Sequence, residues 1–146
     1  MRINKVGAIL AMFGLIVVVG AVGCQKQGKP KSASESKVKG LSRVYFDFDK
    51  SDIKSEYKKT MQDNADWLKK NKDLKVTVEG NCDERGTEEY NLALGHRRAK
   101  SAKDYLVSLG VESKRLSTKS YGEERALETC HNESCWWKNR RADFSK

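Results

Sequence analysis

The sequence predicts an α+β domain, a two-layer α/β sandwich in which helices cover one face of a mixed β-sheet. Segments that are apolar at every second residue alternate along the chain with segments that are apolar at helical spacing. The first two alternating segments are apolar on one side only, so one layer of helices is enough to cover the sheet. The expected order is strand, helix, strand, helix, strand, loop, strand.

The first half of the domain is expected to form a strand, a helix and a second strand. Residues 43–49 (RVYFDFD) alternate in polarity and predict a half-buried strand. Ser51 or Asp52 caps a helix that ends near Asn71. Residues 74–80 (LKVTVEG) alternate again and predict the second strand. The side chains expected in the core are Val44, Phe46, Phe48, Tyr57, Met61, Ala65, Leu68, Leu74, Val76 and Val78.

The second half is expected to begin with a loop at residues 81–86 and a long helix. Thr87 is the expected N-cap, and the acidic residues after it suit the positive end of the helix dipole. Leu109-Gly110 is expected to end this helix. Its inward stripe contains Tyr90, Leu94, Ala102, Tyr105, Leu106 and Leu109. The remaining predicted elements are a strand at 115–121, a polar loop from Gly122, and a closing strand at 139–144.

The first 23 residues have the pattern of a bacterial lipoprotein signal. Arg2 and Lys5 precede an uncharged, almost wholly apolar run that is short for a membrane-spanning helix. The run ends in AVGC, which resembles a lipobox with Ala21 where leucine is usual. We therefore expect residues 1–23 to be removed and Cys24 to be lipidated, so that acyl chains anchor the protein to a membrane. A signal-anchor helix with an incidental cysteine is the alternative.

Residues 24–40 are expected to form a flexible basic tether, and residues 41–146 a single domain. The tether is rich in Lys, Ser and Gly and cannot bury enough surface to offset the cost of ordering. The whole chain has a formal net charge of +9. Because an exported protein rarely meets nucleic acid, anionic lipid or an acidic polymer is the expected partner class.

The other three cysteines favour a disulfide over a metal site. Cys130 and Cys135 share one polar stretch, and an oxidising compartment favours a bond between them. Such a small ring fixes local geometry more than it stabilises the whole fold. The alternative is a metal site formed by Cys82, Cys130 and Cys135 with His131 or His96. That spacing matches no standard zinc pattern, and we expect no metal.

The long helix carries an arginine on its apolar side. Leu94 and Ala102 each lie four residues from Arg98, and Asn91 lies two turns earlier on the same stripe. A buried guanidinium is costly unless it is paired, and Asp83 is the nearest acidic candidate outside the helix. In one interpretation an ion pair ties helix to loop. In the other, Asp83 and Arg98 flank a pocket for a zwitterion, whose amine and carboxylate they bind.

Four motifs resemble one known family. They are YFDFDKSDI, VEGNCDERGTEEYNLALGHRRA, SYGEE and KNRRADF. Together they resemble the OmpA C-terminal-like domains, and among these the peptidoglycan-associated lipoproteins of the Gram-negative Tol–Pal system. The resemblance covers residues 41–146. It implies a domain that binds peptidoglycan non-covalently at the meso-diaminopimelate of the stem peptide.

The resemblance also implies which residues bind the ligand. The family's aspartate, asparagine, helix arginine and first arginine of the closing Asn-Arg-Arg match Asp83, Asn91, Arg98 and Arg140. The acidic turn at Asp47 and Asp49 borders the family's site, and the resemblance implies Asp47 as a fifth ligand residue. This chain departs from the family at Asn81, where a histidine is common.

The expected protein is a lipoprotein held in the outer membrane by acylated Cys24, with its domain facing the periplasm. Gln25 fits outer-membrane sorting because it is not the aspartate associated with inner-membrane retention. The resemblance implies TolB and other Tol proteins as partners, and a role in envelope integrity and cell division. The alternative is a wall-binding lipoprotein outside Tol–Pal, serving as a spacer or a stator.

No catalysis and no cofactor are expected. A wall-cleaving glycosidase would need two carboxylates that face one cleft, and Glu79, Asp83 and Glu84 are the candidates. An inward Val78 sends Glu79 to the face opposite the core. Glu84 and its neighbour Arg85 can offset each other at the surface.

Overall fold

A computed structural model describes residues 37–146. The predicted signal segment, the lipidation site Cys24 and most of the predicted tether lie outside the described residues. The elements are β1 (Val44–Tyr45), α1 (Lys58–Lys70), β2 (Val76–Asn81), α2 (Glu88–Ser108), β3 (Leu116–Gly122), α3 (Glu133–Asn139) and β4 (Arg141–Ser145). Within residues 37–146 there is no helix long and apolar enough to cross a membrane.

The four strands form one mixed sheet in the order β1-β4-β2-β3. β2 and β3 are parallel, and α2 connects them as such a pair requires. β4 runs antiparallel to both β1 and β2, with Phe144 opposite Val78. The closing strand therefore lies in the middle of the sheet, and the predicted mixed α+β architecture is confirmed.

Helices α1 and α2 pack on the sheet through a single apolar cluster. It contains Met61, Ala65 and Leu68 from α1 together with Ala99, Ala102 and Leu106 from α2. The strand residues Val44, Val76 and Val78, with Phe46 just after β1, also belong to this cluster. Ala99 is the one residue named here that the sequence does not predict in the core. The alternation of the first two strands thus correctly predicts which face the helices cover.

The first predicted strand is too long, because the chain leaves the sheet early. β1 ends at Tyr45, and Asp49 adopts a left-handed conformation with φ 56° in the turn that follows. This turn breaks the alternation, so Phe48 is 54% exposed instead of lying in the core. The helix after it also begins later than predicted, at Lys58, behind a short 3-10 turn at Ser55–Tyr57.

Helix α3 occupies a stretch that the sequence predicts as loop. Asn132 caps it, because its side chain accepts a hydrogen bond from the backbone N–H of Ser134 at 3.0 Å. Asn132 and Glu133 are a reasonable N-terminal signal, but seven residues are too few to show helical periodicity. Since α3 takes up Asn139, β4 begins two residues later than predicted.

A layer of charged side chains covers part of the sheet on the side of Glu79. The Glu79 carboxylate is buried and accepts a hydrogen bond from the Ser145 hydroxyl at 2.6 Å. In the same layer Asp143 pairs with Arg43 at 3.0 Å and with Arg141 at 2.7 Å. Glu79 therefore lies on the opposite side of β2 from Val78, as its position in the strand predicts.

A close contact between two glycines sets the distance from β2 to α2. A Cβ atom built on Gly80 would lie 1.7 Å from the backbone oxygen of Gly95. We expect Gly80→Ala to lower the free energy of unfolding by about 2–3 kcal/mol, because the whole of α2 must shift. Gly95→Ala should cost less, since its nearest obstacle is the Ser120 hydroxyl, which can rotate. Urea unfolding of both variants tests this, and a Gly80→Ala domain as stable as wild type would contradict it.

Candidate functional site

A pocket of about 190 Å³ opens between the start of α2, the end of β2 and the turn after β1. We call it the α2 pocket. Asp49, Asp83, Asn91 and Arg98 lie in its wall, with the exposed rings of Phe48 and Tyr90 beside them. Acidic groups, an amide and the guanidinium groups of Arg85 and Arg98 therefore border one small cavity, and aromatic rings lie at its edge.

Arg98 is fully buried and is held by backbone oxygens. Its Nε donates to the carbonyl of Lys50 at 2.8 Å, Nη1 to that of Asn81 at 2.9 Å, and Nη2 to that of Asp47 at 3.1 Å. These bonds use three of the five N–H donors of a guanidinium. Burial lowers the pKa of Arg98 from its ordinary value, and the side chain also borders the α2 pocket.

The expected ion pair between Arg98 and Asp83 does not form. Asp83 is instead bound by two other arginines, Arg85 at 2.7 Å and Arg140 at 3.1 Å. Arg98 is hydrogen-bonded to the turn after β1 and to the end of β2. The interpretation in which Arg98 forms an ion pair with Asp83 therefore had the wrong partner. Both side chains nevertheless line the α2 pocket, as the alternative interpretation required.

Opposing effects act on the pKa of Asp83. Burial of this carboxyl, which is 4% exposed, would raise its pKa. The hydrogen bonds from Arg85 and Arg140 outweigh burial and hold the pKa of Asp83 below its ordinary value of 3.8. Asp83 is therefore ionised at neutral pH.

This lowered pKa predicts how stability depends on pH. The ionised Asp83 stabilises the fold above the unfolded pKa, and its contribution is lost as the pH falls through the lower folded pKa. We therefore expect the stability difference between wild type and Asp83→Asn to be full near about pH 6 and to shrink towards about pH 3. Urea unfolding at a series of pH values measures it. A difference that stays constant over that range would contradict the assignment.

Arg85 is an element of the site that the sequence reasoning missed. Its guanidinium lies 3.9 Å from the ring centroid of Phe48 and 4.0 Å from that of Trp136. Stacking between two rings presents its donors edge-on to Asp83. The predicted offset by Glu84 is wrong, because the Glu84 carboxylate accepts from the indole N–H of Trp136 at 2.9 Å.

Asn91 and Arg140 are buried and support Asp83 from two sides. The Asn91 amide donates to the backbone oxygen of Asp83 at 3.2 Å and to the carboxylate of Glu123 at 2.5 Å. Arg140 binds the carboxylates of Asp83 and Glu133 and does not itself line the α2 pocket. Four of the five predicted ligand residues are thus brought together, with Arg140 behind the others.

Asp47 is the predicted ligand residue whose carboxylate lies outside the α2 pocket. Its carboxylate is exposed and pairs with Lys54 at 3.2 Å, while its backbone oxygen holds Arg98. Asp49 lines the pocket in its place and accepts a hydrogen bond from the hydroxyl of Tyr90. In a regular strand Asp47 and Asp49 would lie on the same side. The turn in which Asp49 adopts a left-handed conformation ends that alternation, so only Asp49 lines the pocket.

The cysteines form a disulfide and a buried thiol. Cys130 and Cys135 are bonded to each other, so two of the thiols of the alternative metal site are occupied. Cys82 donates to the backbone oxygen of Asn91 at 3.3 Å, and burial raises its pKa to about 11. Among residues 37–146 there is no group of three His, Cys, Asp or Glu side chains that could hold a metal ion.

Comparison with known proteins assigns the chain to a family. The model of the OmpA family matches residues 45–140. A peptidoglycan-associated lipoprotein of Mesorhizobium japonicum is 41% identical over 90% of this chain and 88% of its own length. One of Haemophilus influenzae is 52% identical over 68% of this chain and 65% of its own length.

Solved structures agree with this assignment. The peptidoglycan-associated lipoprotein of Burkholderia pseudomallei superposes with a TM-score of 0.69 and 41% identity, over 70% of this chain and 87% of that chain. The C-terminal domain of Helicobacter pylori MotB shares the fold, with a TM-score of 0.65 and 22% identity over 73% of this chain and 86% of that chain. The chain belongs to the OmpA family and, within it, to the peptidoglycan-associated lipoproteins.

Proposed function

We propose that this domain binds peptidoglycan non-covalently and takes the meso-diaminopimelate of the stem peptide in the α2 pocket. The observation that carries the proposal is the cavity itself, in which the buried Arg98 and the ionised Asp83, together with Asp49 and Arg85, border about 190 Å³. The free end of diaminopimelate has an ammonium and a carboxylate on one carbon. A small ligand with both charges matches a small pocket with both counter-charges.

The carboxylate of the ligand binds Arg98, and its ammonium binds Asp83. Arg98 is preorganised, because three backbone oxygens already fix the plane of its guanidinium. The Asp83 carboxylate already accepts four hydrogen bonds, three from Arg85 and one from Arg140, which fill its acceptor positions, so the ammonium binds by displacing one of them. Asn91 and Arg140 hold Asp83 from two sides. Asn91 also lines the pocket and contacts the ligand there, whereas Arg140 acts through Asp83.

The remaining parts of the proposal concern the anchor and the partners. Acylated Cys24 holds the protein in the outer membrane, and the domain grips the wall from the periplasmic side. TolB and other Tol proteins are its protein partners, and the complex supports envelope integrity and cell division. Its relatives are named peptidoglycan-associated lipoproteins, and these names support the proposed binding to the cell wall and the proposed lipid anchor. If TolB is not captured from a periplasmic extract while wall binding persists, the protein acts as a spacer or stator outside Tol–Pal.

The proposed role is non-catalytic. Glu79 is buried in the charged layer and hydrogen-bonded to Ser145, on the opposite side of β2 from the core valines. It therefore cannot share a cleft with Asp83 in the way that a glycosidase requires. Incubation with purified sacculi should release no soluble fragments, and steady release would overturn this part of the proposal.

One titration tests the ligand assignment. The purified protein is titrated with a stem peptide containing meso-diaminopimelate and with the same peptide containing lysine, which lacks the second carboxylate. We expect the lysine peptide to bind at least about tenfold more weakly, because Arg98 is left without its anion. Equal affinity for the two peptides would count against the α2 pocket as the diaminopimelate site.

A further inference from the structure

The ring closed by the Cys130–Cys135 disulfide contains an acid that reaches the arginines around Asp83. Glu133 accepts hydrogen bonds from both terminal nitrogens of Arg140, at 3.2 Å for Nη1, and its carboxylate lies 3.6 Å from Nη2 of Arg85. Its side chain is 60% exposed, whereas that of Arg140 is 6% exposed. Glu133 thus covers the buried guanidinium from the solvent side.

The charges around Asp83 explain what this acid does. Asp83 alone faces two guanidinium groups, those of Arg85 and Arg140, which leaves an excess of positive charge at the place where a ligand ammonium must bind. Glu133 adds a second carboxylate to the same two arginines. With Glu133 present, two acids face these two arginines, so the repulsion that the arginines exert on an approaching ammonium is reduced.

Glu133 is ionised, as this role requires. The hydrogen bond from Arg140 holds the pKa of Glu133 below its ordinary value. The same bond, together with the bond that Arg140 donates to Asp83, outweighs burial and raises the pKa of Arg140. Both partners therefore keep their charges at neutral pH.

The disulfide ring is also attached to the site loop at a second point. Nδ1 of His131, inside the ring, lies 2.6 Å from the carboxylate of Glu84, the residue next to Asp83. Asn132, also in the ring, caps α3 and so sets where the helix begins. The covalent ring limits where the backbone at Glu133 can lie, which keeps its side chain within reach of Arg140.

We propose that Glu133 is a positioning residue for the ammonium group of the ligand, and that the Cys130–Cys135 disulfide holds it in place. Glu133 does not contact the ligand. It binds Arg140 and Arg85 and offsets the charge of the two arginines that hold Asp83, so that the ammonium can displace one of their hydrogen bonds to Asp83. This inference rests on the proposed function of the α2 pocket, and it assigns the disulfide ring a part in recognition of the amine.

The test compares two ligands that differ only at the amine. The protein is titrated with a stem peptide whose diaminopimelate has a free amine at its unlinked end, and with the same peptide acetylated at that amine. The measured quantity is the amine preference, which is the ratio of the two affinities. We expect Glu133→Gln to reduce the amine preference about tenfold, a typical size for coupling within one ion-pair network.

Control variants separate positioning from general damage. Glu128→Gln makes the same change in the loop that precedes α3, where the carboxylate pairs with Lys138, and should leave the amine preference unchanged. Glu133→Asp keeps the charge and should recover most of the preference. The double variant Cys130→Ser/Cys135→Ser should lose amine preference, and adding Glu133→Gln to it should cause little further loss. Thermal unfolding of each variant checks that the domain remains folded.

The possible results can be told apart. If wild type shows no preference for the free amine, the proposed function of the α2 pocket fails. If wild type shows the preference and Glu133→Gln retains it, only the role of Glu133 is overturned. If Glu133→Gln loses the preference but the double serine variant keeps it, the part assigned to the disulfide is overturned.

Discussion

Replacing Arg98 by alanine is expected to lower the free energy of unfolding by about 3–5 kcal/mol, since it leaves three backbone oxygens without their donor, each at a cost of about 1–3 kcal/mol when buried. These oxygens belong to Asp47, Lys50 and Asn81, so the turn after β1 would lose its attachment to α2 and β2. Ligand binding should be lost as well, because the carboxylate of diaminopimelate would have no partner. This is the largest effect on stability that we expect from one substitution.

Two further variants make the Arg98 prediction specific. Arg98→Lys keeps the positive charge but lacks the planar fork that reaches three oxygens at once, so it should be intermediate in stability and poor in binding. Arg97→Ala removes a neighbouring exposed arginine of α2 and should change stability by no more than about 0.5 kcal/mol. Urea unfolding measures all three variants. An Arg98→Ala domain as stable as Arg97→Ala would show that the three hydrogen bonds do not hold the turn.

The burial of Arg98 could be predicted from the sequence, whereas its partners could not. Helical periodicity places residue 98 between Leu94 and Ala102, and the structure confirms that position. Its partners, however, are backbone oxygens from a turn 48 to 51 residues away in sequence and from the end of β2. Every residue has a carbonyl group, so residue type gives no signal for this kind of contact. Asp83, the nearest acid in sequence outside the helix, is therefore the partner that the sequence suggests.

The fold prediction fails where an element is too short for apolar spacing to show. The periodic segments β2 and α2 are long enough for apolar spacing to show, and both were placed within two residues at each end. Strand β1 has two residues in the structure, and α3 has seven, so a turn or a cap decides each of them. Because α3 was missed, Trp136 could not be placed against Arg85, and the aromatic support of that arginine went unseen.

Replacing Asp83 by asparagine is expected to weaken binding of the diaminopimelate peptide about 100-fold, the size typical of removing one partner from a buried charge pair. Asparagine has nearly the same shape and can still accept from one arginine, so most of the fold should survive. Arg85 and Arg140 would then face the ligand ammonium with only Glu133 to balance them. Titration with the free-amine peptide measures the loss. Asp104→Asn, an exposed acid on α2 that pairs with Lys100, is the matched control.

The comparison that decides which acid binds the ammonium is between Asp83→Asn and Asp49→Asn. Both acids line the α2 pocket, but Asp83 is 4% exposed, whereas Asp49 is exposed and its carboxylate already accepts from Tyr90. A buried acid contributes more to binding than an exposed one, because less water screens it. Asp49→Asn should therefore weaken binding much less than Asp83→Asn does. The opposite order would place the ammonium against the turn after β1, and Arg85 and Arg140 would then remain permanent structural partners of Asp83.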